Sequence, residues 1–235
     1  MSRDDIAPPP RWHTLLEGRA AAEATALMVQ LPLLRMTLPR GGGPVMVLPG
    51  FMADDASTWL LRRFLSSLGY AVRPWGLGMN RGPMMAALAI LIDRLDAWHL
   101  RAGEPVSLVG WSRGGILARE ISRERPDLIR QVITLGSPVR GGVGSTSIGR
   151  LVSARTGLTP AQINAILRER QRRPITTPIT AIYSKTDGIV AWQACVDEVN
   201  PHVTHHVVEG SHLGLGVNAS VYRLVARALA AGSKR

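Results

Sequence analysis

Ser112 stands between glycines in Gly110-Trp111-Ser112-Arg113-Gly114, within the stretch LVGWSRGGILARE. The spacing is G-x-S-x-G, and its surroundings read as apolar strand, sharp turn and helix. In that setting the turn forces the serine into a strained backbone conformation, and its hydroxyl stands exposed at the end of the strand. The first turn of the next helix aims its N–H groups and the positive end of its dipole at the same place. Strand and helix can approach only if the residues two before and two after the serine are small. Gly110 and Gly114 meet this, and Gly115 adds room. The plainer alternative is a glycine-rich strand–helix turn with a capping serine.

A serine hydroxyl is a weak nucleophile at neutral pH, so it needs a base, and the base needs an orienting carboxylate. For a nucleophile in a strand–turn–helix, the chain order to look for is serine, acid, histidine. YSKTDGIV puts Asp187 in a turn just after an expected strand, and VVEGSHLGLG puts His212 in a glycine-rich loop just after the next. Both fall at strand C-termini, where open parallel sheets build their sites. His202, His205 and His206 lie before or within the last strand, and adjacent His205 and His206 point to opposite faces. His13 and His99 precede the acid. Asp197 and Glu198 read as an exposed helix, and Glu209 as a strand end. Either Asp187 or His212 alone would read as a structural turn residue; together, in order, they complete a Ser-His-Asp set.

Acyl chemistry also needs donors for the developing oxyanion. One is the backbone N–H of the residue after the nucleophile, Arg113; the second comes from the loop after the first core strand. In LPGF, Pro49-Gly50 makes the tight turn, so Phe51 N–H is the first choice and Met52 the second. Trp111 and Met52 are the candidate substrate-binding side chains. Trp111 reads as wall or packing. The Arg113 side chain reads as an ion pair or helix-surface charge, against a sharper role in recognising an anionic group. The glycines of GLGMNRG are wrongly spaced for a dinucleotide loop and RGGVGSTS lacks a phosphate-loop lysine, so both read as loops. HVTHH is the nearest approach to metal-ligand spacing and is weak, so no metal and no cofactor are expected.

The elements that must hold these residues alternate. PVMVLPGF, YAVRPWGL, PVSLVG, IRQVITLGSP, PITAIYS and THHVVEG read as strands, and residues 57–68, 83–100, 112–125 and 218–231 as helices. Continuous apolar strands alternating with helices predict an α/β fold with a mostly parallel sheet of about six strands, covered on both faces. Residues 139–177 contain no strand pattern and read as a lid-like insertion. Inside it TPAQINAILRER predicts a helix, with Thr159 as cap and Pro160 in the first turn. Residues 1–12 read as a loose arm. Residues 15–34 predict an alanine-rich helix that Pro32 should end or kink. The expected organisation is an arm and apolar helix packed on the core over 1–40, and a catalytic domain with its insertion over 41–235.

The 235 residues suffice for one large domain, and a 46% hydrophobic content excludes a disordered chain. The net charge of +11 is carried almost wholly by scattered arginines, since Lys185 and Lys234 are the only lysines. With aromatics at 5%, that pattern argues for a solvated surface and against nucleic-acid binding. Cys195 is the only cysteine, so no intramolecular disulfide can form. MSRDDIAPPPRWH lacks the basic-then-apolar character of a signal peptide, and no apolar run reaches the length of a membrane span, so a cytoplasmic location is expected. The apolar run in residues 24–36 could still pack on a membrane surface or a second copy instead of the core.

Taken together, VMVLPGF, LVGWSRGG, YSKTDGIV and GSHLGLG resemble the α/β-hydrolase fold, in its small bacterial esterase and lipase branch. The resemblance covers roughly residues 44–230. It implies Ser112 as nucleophile, Asp187 as acid, His212 as base, and a small-molecule or lipid-like ester as substrate. Pro49 stands where many members have histidine, and Trp111 and Arg113 replace the histidine and the methionine or glutamine frequent beside the serine. Thioesterase, lactonase and acyltransferase chemistry use the same three residues and stay open, as does a non-catalytic binding protein on this fold.

Overall fold

The computed structural model describes residues 6–232, the side chain of Thr156 excepted. Six strands form one sheet: β1 (Pro44–Leu48), β2 (Ala71–Pro74), β3 (Val106–Trp111), β4 (Ile129–Leu135), β5 (Ile179–Ser184) and β6 (Val203–Val208). Their order is β2-β1-β3-β4-β5-β6, and every pairing is parallel. The central strands are buried on both faces, as their unbroken apolar sequences require.

Alternation along the strands divides the core in two. Val45, Val47, Val109 and Ile133 point to one side. There they meet α2 (Ala20–Thr37), α3 (Trp59–Ser67) and α8 (Ala219–Gly232). Met46, Leu48, Leu108 and Val132 point to the other, against α4 (Met84–Ala102) and α5 (Arg113–Glu124). Two further helices, α6 (Gly149–Thr156) and α7 (Pro160–Gln171), lie within the insertion. Thr159 and Gln162 form a reciprocal capping box at the start of α7, with Pro160 in the first turn. Sequence periodicity missed α6, whose eight residues GRLVSART carry too few apolar positions to show a helical face. The insertion is pinned to the sheet-covering helices. Arg170 of α7 bonds Glu120 and Glu124 of α5 at 2.6 and 3.3 Å.

Three expectations need correction. Residues 6–12 are not a loose arm: Ile6 packs on a small core around Tyr183 and Val190, Pro9 is buried, and α1 (Arg11–Leu15) leads through a 3-10 turn (Leu16–Arg19) into α2. Residues 1–5 lie outside the described part. Pro32 does not end α2, which continues to Thr37. Pro32 is exposed, as is Met28, whose carbonyl loses its i+4 donor, so water can satisfy the freed group. Asp197 and Glu198 are not on a helix. Asp197 is buried and paired with Arg119 at 2.5 Å. Burial would push its carboxyl up, but the Arg119 charge and hydrogen bonds from Asn200 and Val199 hold it below the ordinary carboxylate range.

The packing of β1, β3 and α5 depends on glycine. A Cβ on Gly114 would overlap the carbonyl oxygens of Leu48 and Pro49, and one on Gly110 the backbone of Gly114 and Gly115. Gly114→Ala is therefore expected to push α5 off β1 and cost about 2 kcal/mol or more, read as a lower urea midpoint at unchanged slope. Among the described residues, no helix is long and apolar enough to cross a membrane.

Candidate active site

Ser112 follows β3 directly and opens α5. Its backbone sits at φ 52° and ψ −120°, a region L-residues seldom occupy. The strain is held by bonds on both sides. Ser112 N donates to Leu135 O at the end of β4 (2.7 Å), and Ser112 O accepts from Gly115 N at 2.9 Å. Met52, at φ 59°, is the only other non-glycine residue with positive φ among those described. It lies in the turn after β1, whose Gly50 faces the Ser112 side chain.

Asp187 and His212 follow β5 and β6 and meet across the strand ends. His212 Nδ1 and Asp187 Oδ2 are 2.6 Å apart, and both side chains are buried. The other carboxylate oxygen of Asp187 accepts from Ile189 N and Val190 N at 2.8 and 2.7 Å, which fixes the loop after β5. The imidazole lies over Gly136, the residue after Leu135, so it shares the end of β4 with Ser112. Ser112 Oγ makes no hydrogen bond to His212 or to any other described residue. Such bonds often close only in the substrate complex. Burial alone would lower the His212 pKa. The Asp187 charge and hydrogen bond, with a further contribution from Glu17, outweigh it and raise the imidazole above its ordinary value.

Glu17, which carries no sequence signal, is central here. It is buried on the 3-10 turn before α2. Its Oε1 accepts from Gly188 N at 2.8 Å and His212 N at 2.9 Å, and its Oε2 from Leu213 N at 2.8 Å. One carboxylate thus holds the Asp187 loop and the His212 loop together. Neighbouring residues extend the clamp. Thr14 Oγ1 donates to Gly188 O at 2.9 Å, and the Arg19 guanidinium to Thr186 O at 3.0 Å. Glu23 accepts from Ser211 N at 2.9 Å. Nothing local in WHTLLEGR distinguishes Glu17 from a helix-surface glutamate; its partners lie 171 to 196 residues away.

The turn after β1 is braced by Asn80, from the GLGMNRG stretch whose sequence reads as a loop. Asn80 is buried: its side chain donates to Pro49 O at 2.8 Å, its N–H to Ala53 O at 2.8 Å, and its carbonyl accepts from Met52 N at 3.0 Å. That bond occupies the second-choice oxyanion donor. The N–H groups of Phe51 and Arg113 have no acceptor among the described residues. The Arg113 side chain is neither an ion pair nor a surface charge. It is buried, donates to Gly82 O, and sits 5.6 Å from the centre of the Phe51 ring. Burial without a carboxylate partner pulls its pKa down. Loop 76–82 therefore supports the turn that carries Phe51. Trp111 packs beside His212, and its indole N–H donates to the His212 carbonyl at 3.2 Å.

The parallel six-stranded sheet with helices on both faces matches many solved structures. One is described as belonging to the metagenome-derived lipolytic enzymes LipS and LipT, at 14% identity and a TM-score of 0.63, covering 84% of this chain and 96% of that one. The fold is that of the α/β-hydrolases. The monoacylglycerol lipase of Paleococcus ferrophilus has the same α/β-hydrolase fold at 15% identity and a TM-score of 0.62, over 83% of this chain and 96% of its own. Est1E from Butyrivibrio proteoclasticus, solved with ferulic acid, aligns at 15% identity and a TM-score of 0.58, over 82% and 88%. No protein-family model and no curated protein matches the sequence. Within this α/β-hydrolase fold, the described residues contain no group of three His, Cys, Asp or Glu side chains placed to hold a metal ion.

Proposed function

We propose that this protein is a serine hydrolase that cleaves carboxylic esters through Ser112, His212 and Asp187. The observation that carries the reading is the 2.6 Å bond between buried Asp187 and His212, at the end of the strand that anchors the strained Ser112 backbone. Ser112 Oγ attacks the acyl carbonyl while His212 Nε2 takes its proton. The carbonyl oxygen, now negative, is held by the N–H groups of Phe51 and Arg113. Their lack of other acceptors supports this role, and each such donor contributes about 3 kcal/mol to the transition state. Collapse of the intermediate expels the alcohol, which receives the proton from His212. Water, deprotonated by the same imidazole, then releases the acid and regenerates Ser112. Asp187 holds the ring in the tautomer with Nδ1 protonated and stabilises its transient charge.

Solved structures of the same fold include proteins described as lipases and esterases, which supports an ester over other acyl substrates. A panel of p-nitrophenyl esters of rising acyl length, with one thioester of matched acyl group, tests the assignment. Ester turnover is expected, with little on the thioester; the reverse ranking would reassign the leaving group. His212 must be neutral to act as base, and its pKa is raised. The acid limb of kcat/KM is therefore expected above the unperturbed 6.5. A limb below that value would show that a different group titrates.

A further inference from the structure

Helix α2 is apolar on both of its faces. Leu27, Leu31 and Leu34 enter the core, while Met28, Val29, Leu33 and Met36 on the opposite face are 55, 77, 60 and 83% exposed. No charged residue occurs from Ala24 to Leu34. A helix apolar all round is normally covered on all sides, and contiguous exposed patches of this kind mark interaction sites.

The charge of the helical layer to which α2 belongs indicates what covers the patch. The layer on this side of the sheet, α2, α3 and α8, holds Arg35, Arg62, Arg63, Arg223 and Arg227 against a single acid, Glu23. Glu23 is spent on the histidine loop and Arg19. None of the five arginines has a carboxylate partner among the described residues. The opposite layer, α4 and α5, is nearer to balance: its five arginines stand with four acids, Asp93, Asp96, Glu120 and Glu124, three of which form ion pairs. A second copy is a poor occupant, because a twofold interface would set the same unpaired arginines against themselves. An anionic, apolar partner satisfies both features.

We propose that the outer face of α2 docks on an anionic lipid surface, with Met28, Val29, Leu33 and Met36 entering the interface and the arginine layer meeting the headgroups. This does not depend on Ser112 being a nucleophile. It is tested by co-sedimentation of the full chain with vesicles of phosphatidylcholine, alone or with one third phosphatidylglycerol. The protein is expected to sediment with the mixed vesicles, weakly with neutral ones, and less as salt is raised. Leu33→Glu/Met36→Glu is expected to lower the bound fraction by about tenfold while its circular dichroism melt stays unchanged, since both positions are exposed. Three results would overturn the proposal: no binding to mixed vesicles, equal binding to both kinds, or undiminished binding of the folded double variant. A concentration-dependent dimer abolished by the same variant, without vesicle binding, would hand the face to a second copy.

Discussion

Ser112→Ala is expected to lower turnover of an activated ester by about four orders of magnitude or more, because the remaining catalytic groups cannot act without the nucleophile. Folding should hardly change. Ser112 Oγ makes no hydrogen bond among the described residues, so its removal orphans no partner. The substitution leaves the φ of 52° no worse for alanine than for serine. The stability change should stay within about 0.5 kcal/mol, as for substitutions that break no packing or polar contact. The combination is diagnostic. A capping serine would cost stability and spare activity; a nucleophile does the opposite. Retention of even a tenth of the wild-type rate by the folded variant would remove Ser112 from the chemistry.

The second large effect is expected at Glu17. Glu17→Ala strips the acceptor from the N–H groups of Gly188, His212 and Leu213 at once. Each buried donor left unpaired costs about 1–3 kcal/mol, so an overall loss of about 3 kcal/mol or more is expected in urea unfolding. The His212 loop would also loosen, and misplacement of a catalytic group by about 1 Å can cost about a hundredfold in rate, so under the proposed mechanism kcat should fall more than KM rises. A merely structural residue could do as much; the pH profile separates the cases. Glu17 is one of the charges that raise the His212 pKa. Glu17→Gln keeps an acceptor at Oε1 and removes the charge. Its acid limb is therefore expected to move to lower pH, in the direction of greater activity at mildly acid pH relative to the variant's own plateau. An unmoved limb would confine Glu17 to scaffolding.

The contrast between these two residues shows what a sequence displays. Ser112 is marked locally: Gly110, Gly114 and the apolar strand before it are the physical conditions for its turn, and all lie within a few residues. Asp187 and His212 are legible because each follows a strand, and a parallel sheet brings strand C-termini to one edge. Glu17 and Asn80 have no such signature. Each looks like an ordinary polar residue until the chain is folded, and each then spends its polar atoms on loops far away in sequence. Arg113 misled for the same reason: an arginine in a first helical turn reads as solvent-facing, and only the packing of loop 76–82 buries it against Phe51. Pro32 misled differently, because a helix whose freed carbonyl faces water tolerates a proline that would break a buried one.

The central claim is that His212 and Asp187 activate Ser112 and no other serine. Incubation of the native protein with a fluorophosphonate probe, followed by peptide mass mapping, tests it most directly. One adduct per chain is predicted, on the peptide carrying GWSRGG, absent after heat denaturation and reduced by orders of magnitude in His212→Ala. No adduct on the folded protein, or an adduct on any residue other than Ser112, would contradict it.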